Sequence, residues 1–210
     1  ATTKSLQAAQ DFAANAAHEL RTPLTAMRAD LDTLRIHDLP PQERDEVVAD
    51  LARAQRRIES TITALGQLAS GQLAQDEDRE PIDIEELLDR VARENTRSAD
   101  VPIEVHADDA GVISGWSGGM RLAVDNLVRN AVTHGQATRV VLTAHRSDAD
   151  GREILEITVD DNGCGLPAEE HAAVLGRFSR GSTAAAGGSG LGLALVAQQA
   201  ALHGGRVELS

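Results

Sequence analysis

Apolar residues at Leu6, Ala9, Ala13, Ala16 and Leu20 step along the chain by three and four. One extra step of four follows, and the rhythm resumes at Leu24, Met27, Leu31 and Leu34. Such a stripe is the seam of a heptad helix with one stutter, close to Pro23. "DLPPQE" (38–43) breaks the rhythm, and Pro41 suits the first turn of a second helix. A second seam then runs through Val47, Leu51, Ala54, Ile58, Ile62, Leu65 and Leu68. Two long helices joined by a short loop predict an antiparallel hairpin. A lone hairpin leaves much of these stripes unburied, so the economical solution is a homodimeric four-helix bundle. The alternative is a hairpin packed on the chain's own C-terminal part.

"GQLAQDEDREP" (71–81) loses the periodicity and predicts a linker. The pattern after it changes character. "PIDIEELLDRVARENTR" predicts a short strand and a helix, and "PIEVHAD" and "GVISGW" predict strands. "GGMRLAVDNLVRNAVTHG" (118–135) is a helix pattern with Leu122, Leu127 and Val128 turned inward, and "TRVVLTAHRS" and "EILEITVDDNG" alternate as strands. A glycine-rich segment, the helix "LGLALVAQQAALHGG" and a strand opening at "RVELS" complete the chain. Strands and helices mix without βαβ regularity. The predicted architecture is therefore α+β in two domains: a helical hairpin over 1–70, a linker over 71–81, and an α/β sandwich with a largely antiparallel sheet over 82–210.

Composition narrows the function. The formal net charge of −13 argues against nucleic acid or an acidic membrane surface as the main partner. Lys4 is the only lysine, which excludes a lysine-dependent phosphate loop, and Cys164 is the only cysteine, which excludes an internal disulfide. The single cysteine suits a reducing compartment. No apolar run approaches the roughly 18 residues of a membrane span. The core must be aliphatic, since Phe12, Trp116 and Phe178 are all the aromatic residues. A chain that opens without Met and stops at "RVELS" is expected to be part of something longer.

Four constellations carry chemistry. His18 lies two positions from the seam residues Ala16 and Leu20, an offset of about 200° that points it away from the seam. Glu19 is adjacent, Thr22 shares the histidine's face one turn on, and Pro23 withholds a hydrogen bond from the Glu19 carbonyl, which predicts a bend there. An exposed imidazole beside a carboxylate can be a nucleophile, one ring nitrogen held protonated and the other free to attack. Asn126 and Asn130, four apart on one helical face, can present two oxygens to a hard cation such as Mg²⁺. In "DDNGCGLP" (160–167), Asp161 can accept from an exocyclic amine, and Gly163 and Gly165 permit a close backbone approach. In "GGSGLGLALV" (187–196), glycines opening a helix offer N–H groups to phosphates. Their spacing, Gly188-x-Gly190-x-Gly192, does not fit a dinucleotide-binding fold. "RFSRGSTAAAGG" (177–188) is a candidate lid.

These pieces, in this order, resemble the catalytic core of the sensor histidine kinases of two-component systems. "HELRTPL" (18–24) looks like the H box, "DNLVRNAVTHG" the N box, "DDNGCGLP" the first glycine box, "RFSRG" the F box and "GGSGLGLAL" the second glycine box. The likeness covers residues 5 to 210. It implies a dimerisation and histidine-phosphotransfer bundle followed by an ATP-binding sandwich. By it, His18 receives the γ-phosphoryl of ATP and passes it to an aspartate on a response regulator receiver domain, with Glu19 as base or orienting carboxylate. Thr22 places water when the bundle dephosphorylates the regulator. Asn130 with Asn126 holds Mg²⁺, and Asp161 reads the adenine amine in a pocket shaped by Gly163 and Gly165. Gly188, Gly190, Leu191 and Gly192 flank the phosphates, with Phe178 and Arg180 at the lid's start. The location implied is the cytoplasmic portion of a bacterial membrane sensor.

Two departures stand out. Many relatives carry a basic residue three positions after the second Asn and then an aromatic one; here those places hold Thr133 and His134, so His134 is expected to line the nucleotide. Type II topoisomerase, Hsp90-like and MutL-like ATPases place a Glu four residues before the metal-binding Asn to activate water, where this chain has Asn126. Transfer to a protein nucleophile is thereby favoured over hydrolysis. The alternative readings are a degenerate kinase acting as a dimeric scaffold and a phosphatase-dominated module.

Overall fold

The computed structural model describes residues 2–36, 38–70, 79–149, 151–176 and 190–210. Most of the expected linker, the candidate lid, Phe178, Arg180 and Gly188 lie outside the described residues. Helices α1 (Thr2–Ile36) and α2 (Pro41–Ser70) form the hairpin, with Pro41 at the start of α2 as its fixed φ favours. Helix α1 runs unbroken through Pro23, whose ring is buried. The seam divides between two neighbours. Ala16, Leu20, Met27 and Leu34 are half-covered, whereas Leu24 and Leu31 remain 53% and 55% exposed. On α2, Ile58 and Leu65 are likewise half-covered and Ile62 is 56% exposed. One antiparallel neighbour therefore does not exhaust the stripe.

Strand β1 (Glu80–Asp83) begins inside the stretch predicted as linker and leads into helix α3 (Ile84–Ala99). Asp83 makes that junction: its carboxylate accepts from the Glu86 N–H at 3.0 Å, satisfying one of the helix's orphan donors. At the far end Asp100 takes a left-handed conformation and donates to the Thr96 carbonyl at 3.0 Å. The buried face of α3 is Ile84, Leu87, Leu88, Val91, Ala92 and Asn95, the spacing of one helical stripe. Next come β2 (Ile103–His106), β3 (Val112–Gly115), α4 (Ser117–Thr133), β4 (Val140–Ala149) and β5 (Arg152–Asp161). After a 3-10 turn at Ala168–Glu170, α5 (His171–Val174) and α6 (Gly192–Leu202) follow.

The strands form two sheets. β1 pairs antiparallel with β3, Ile82 opposite Ile113. In the other, β4 is central, parallel to β2 (Val105 opposite Leu142) and antiparallel to β5 (Thr143 opposite Thr158). Helices α3 and α4 and this sheet enclose one aliphatic core, in which Ile84, Leu88, Val91, Val128, Val140 and Leu142 are fully buried. Asn95 ties the two helices together across that core by donating to Asp125 at 2.8 Å. Val128 is inward as its pattern predicts, while Leu122 and Leu127 are only half-buried and Ala123, Val124 and Ala131 take the inner positions. The strand expected at "RVELS" does not form. Residues 205–210 have no ladder partner, and a strand exists only by pairing; Arg206 and Glu208 instead bind each other at 2.6 Å.

Helix α6 packs on α4, and at Gly119 any Cβ would overlap the amide of the buried Gln199. Gly119→Ala is expected to displace that side chain and cost about 1–3 kcal/mol. The expected readout is a lower urea midpoint, partly restored when Gln199→Ala empties the space. A single variant that melts like the parent chain contradicts this close packing.

Candidate functional site

His18 is exposed on α1, as its offset from the seam predicts. Thr22 lies one turn on, and its hydroxyl donates to the His18 carbonyl at 3.3 Å. Glu19 turns the other way. Its carboxylate accepts from the Arg57 guanidinium of α2 at 3.1 Å, with only 18% and 23% of the two side chains exposed. The neighbour in sequence is therefore held by the opposite helix, not by the imidazole. Arg57 was invisible to a reading of periodicity: it stands 38 residues from Glu19, and its one signal is a charge abutting the seam residue Ile58.

The second group of residues meets at the start of α6. Asn126 is 4% exposed; its amide donates to the Leu122 carbonyl at 2.9 Å, which fixes the flip and leaves Oδ1 facing outward from α4. A Cβ placed on Gly192 would lie 3.1 Å from Asn126 Oδ1 and 3.7 Å from Asn130 Oδ1. The two carboxamide oxygens thus converge on the first turn of α6, as a spacing of four on one helix face requires. Gly190, with φ +65°, opens that turn in the left-handed region. Leu191 is placed differently from a phosphate-flanking role: its side chain is fully buried with Leu195 against Ala64, Leu65 and Leu122.

The third group closes on the end of α4. The Asn130 carbonyl accepts from both His134 and Gly135 N–H groups at 2.9 Å, which terminates the helix. The Gly135 carbonyl then accepts from the Cys164 N–H at 2.9 Å, and a Cβ on Gly163 would collide with that same carbonyl. Gly163 is therefore a packing requirement, because a backbone oxygen cannot swing aside. Its N–H donates to Asp161 Oδ1 at 2.7 Å, orienting an exposed carboxylate that retains acceptor capacity on its other oxygen. Gly165 has φ +66°. His134 is half-buried at the C-cap of α4, beside this turn, and its carbonyl lies 3.7 Å from Cys164 Sγ. Asn162 is a residue the motif contains but its spacing did not single out. It accepts from the Thr138 and Arg139 N–H groups at 2.9 and 3.0 Å and donates to the Thr138 hydroxyl at 2.9 Å, locking the α4–β4 turn to the end of β5.

The chain thus brings Asn126, Asn130 and Gly192 together where α4 meets α6, and His134, Asp161, Gly163 and Gly165 together beyond the C-terminal end of α4. No hydrogen bond or ion pair joins His18 to either group among the described residues. Neutral carboxamide oxygens beside a glycine-opened helix fit a hard cation and phosphates, and an oriented carboxylate over a glycine turn fits an amine.

Comparison with known proteins finds two family matches along the chain. Residues 8–74 match the family model described as His Kinase A (phospho-acceptor) domain, and residues 117–210 match the one described as Histidine kinase-, DNA gyrase B-, and HSP90-like ATPase. The Sensor-type histidine kinase PrrB of Mycobacterium leprae is 53% identical over 209 residues, which cover 99% of this chain and 46% of that protein. The chain therefore spans about half the length of the curated relatives it matches. The crystal structure of the ATP binding domain of PrrB from Mycobacterium tuberculosis superposes with a TM-score of 0.53 at 44% identity, covering 63% of this chain and 87% of that one. The Acinetobacter baumannii histidine kinase AdeS shares the fold over 88% of this chain and 86% of its own, with a TM-score of 0.64 at 19% identity. On the two family domains and this kinship, the chain belongs to the sensor histidine kinases.

Proposed function

We propose that the chain is a kinase core that moves the γ-phosphoryl group of ATP to His18 and from there to an aspartate of a response regulator receiver domain. The observation that carries this is the convergence of Asn126 Oδ1 and Asn130 Oδ1 on Gly192 at the first turn of α6. In this reading Asp161 accepts from the adenine amine, Gly163 and Gly165 shape its pocket, and His134 lines it. Gly188, Gly190 and Gly192 present backbone N–H groups to the phosphates, with Phe178 and Arg180 at the edge of the lid. Leu191 serves by anchoring that turn from behind. Asn130 and Asn126 would hold Mg²⁺, which when bound offsets phosphate charge.

The transfer balances simply. A neutral imidazole nitrogen of His18 attacks the γ-phosphorus, a P–N bond forms, the bond to the β–γ bridging oxygen breaks, and ADP leaves with its electron pair. The proton lost by the ring passes to Glu19 or to water. Glu19 reaches that role only by exchanging its Arg57 partner, so in the described arrangement the carboxylate is held in reserve. Asn126 supports transfer over hydrolysis on chemical grounds: a carboxamide whose amide donates to Leu122 cannot take a proton from water. Thr22, on the histidine's face, would orient water in the reverse reaction on the regulator.

The apolar residues left open on the hairpin suit a second copy of the chain. Leu24, Leu31 and Ile62 are more than half exposed, and Leu20 and Leu24 lie side by side on the open face of α1. We place this core on the cytoplasmic side of a bacterial membrane sensor; no described helix is long and apolar enough to cross a membrane.

His18→Gln is expected to abolish ³²P incorporation from labelled ATP while leaving nucleotide affinity unchanged, and the label on the parent chain should be acid-labile. Persistent or acid-stable label sinks the assignment of His18. Leu24→Glu combined with Leu31→Glu is expected to shift the chain from dimer to monomer in sedimentation velocity, and an undisturbed dimer would move the interface elsewhere.

A further inference from the structure

Arg129 stands on α4 between the two carboxamides, and its guanidinium donates to Asn126 Oδ1 at 3.2 Å. That is the oxygen facing Gly192, so a permanent positive charge rests at the edge of the site. Several other arginines among the described residues are paired with carboxylates. Arg57 binds Glu19, Arg121 binds Glu94, and Arg139 binds Glu104, each a carboxylate. Among the described residues Arg129 has no carboxylate partner, and within the protein its guanidinium is held by a single neutral oxygen.

Charge makes this cation matter. The chain carries a net −13, and Asp161 adds a carboxylate at the far end of the site. A triphosphate brings about four more negative charges, which the neutral Asn126, Asn130 and Gly192 do not offset. No other Arg or Lys side chain is hydrogen-bonded to Asn126, Asn130, Asp161 or Gly192 among the described residues. Arg129 is also exposed while Asn126 is buried, so the guanidinium can leave the oxygen without opening the core.

Resting on the nucleotide-site reading above, we propose that Arg129 is a phosphate-binding residue that exchanges partners on ligation. Without nucleotide its guanidinium occupies Asn126 Oδ1. Asn126 Oδ1 would be a ligand for Mg²⁺ of a bound nucleotide, charge repulsion would then disfavour the guanidinium there, and Arg129 would turn to the polyphosphate, whose geometry it matches bidentately.

Calorimetric titration of the full chain with Mg·ATP, Mg·ADP and adenosine tests this. Arg129→Gln is expected to weaken Mg·ATP binding about tenfold, the worth of one charge-assisted bond, and Mg·ADP by less, with adenosine within twofold of the parent. Arg129→Lys should recover part of the loss as a point charge. Mg·ATP affinity unchanged in Arg129→Gln, or an equal loss for adenosine, overturns the proposal while leaving the nucleotide site intact. A parent chain that binds none of the three ligands overturns the site and this inference together. Thermal melting of both variants serves as the folding control, since a merely structural role would lower the melting temperature and weaken all three ligands alike.

Discussion

The approach of α6 to α4 is the constraint on which the site depends. A Cβ at Gly192 would press on Asn126 Oδ1 at 3.1 Å, and one at Gly119 would displace the amide of the buried Gln199. These contacts hold α6 at both ends of its packed length. With the helix so placed, its first turn can only present backbone to the Asn126 and Asn130 face. The residue before it, Leu191, turns to the opposite side and is buried against Ala64 and Leu65 of α2. Adjacent residues at one helix start therefore serve two masters: Gly192 the polar site, Leu191 the apolar cluster that joins the sandwich to the hairpin.

The hairpin shows a similar division on a single helix. Residues one position apart on an α-helix point about 100° apart. His18 faces solvent while Glu19 is drawn to Arg57 on α2, and the seam residues occupy a third direction. A buried-edge ion pair of this kind contributes modestly in net terms, since desolvation offsets much of the attraction. Its larger effect is positional: it fixes which way α1 is turned against α2, and so which side chain is left outward. The proline about one turn beyond Glu19 has its ring buried in a helix that continues through it, so burial accompanies the lost hydrogen bond.

Much of this was legible in the sequence because it is local. The i, i+4 spacing of Asn126 and Asn130, the heptad seams and the glycines opening α6 all operate within one element or one turn. What was not legible depends on pairings between elements. Arg57 finds Glu19 across 38 residues, and periodicity cannot report which charge on a second helix lies opposite a given one on the first. Asn162 sits inside a motif that was recognised for its aspartate and glycines, yet its role is to hold a turn 24 residues away. Leu191 shows the same limit from the other side: its place between two glycines suggested the ligand, whereas its apolar bulk sends it to the nearest uncovered surface. The strand expected at "RVELS" had β-branched character but no partner, and propensity cannot supply a ladder.

The electrostatics of the site follow from the same neutrality that sets its chemistry. A Glu at the place of Asn126 would bring both a general base and a negative charge beside the phosphates. The carboxamide removes the base, which suits transfer to a protein histidine over attack by water, and it also removes the charge that would have tied down a neighbouring arginine. Arg129, one turn from Asn126 on α4, consequently has only an amide oxygen to bind. A guanidinium so lightly held keeps most of its field available to an incoming anion, and its exposed side chain can follow that anion at little cost to the core. On the proposed reading, one neutral residue underlies both a preference for a protein acceptor and the readiness of a cation to meet the phosphates.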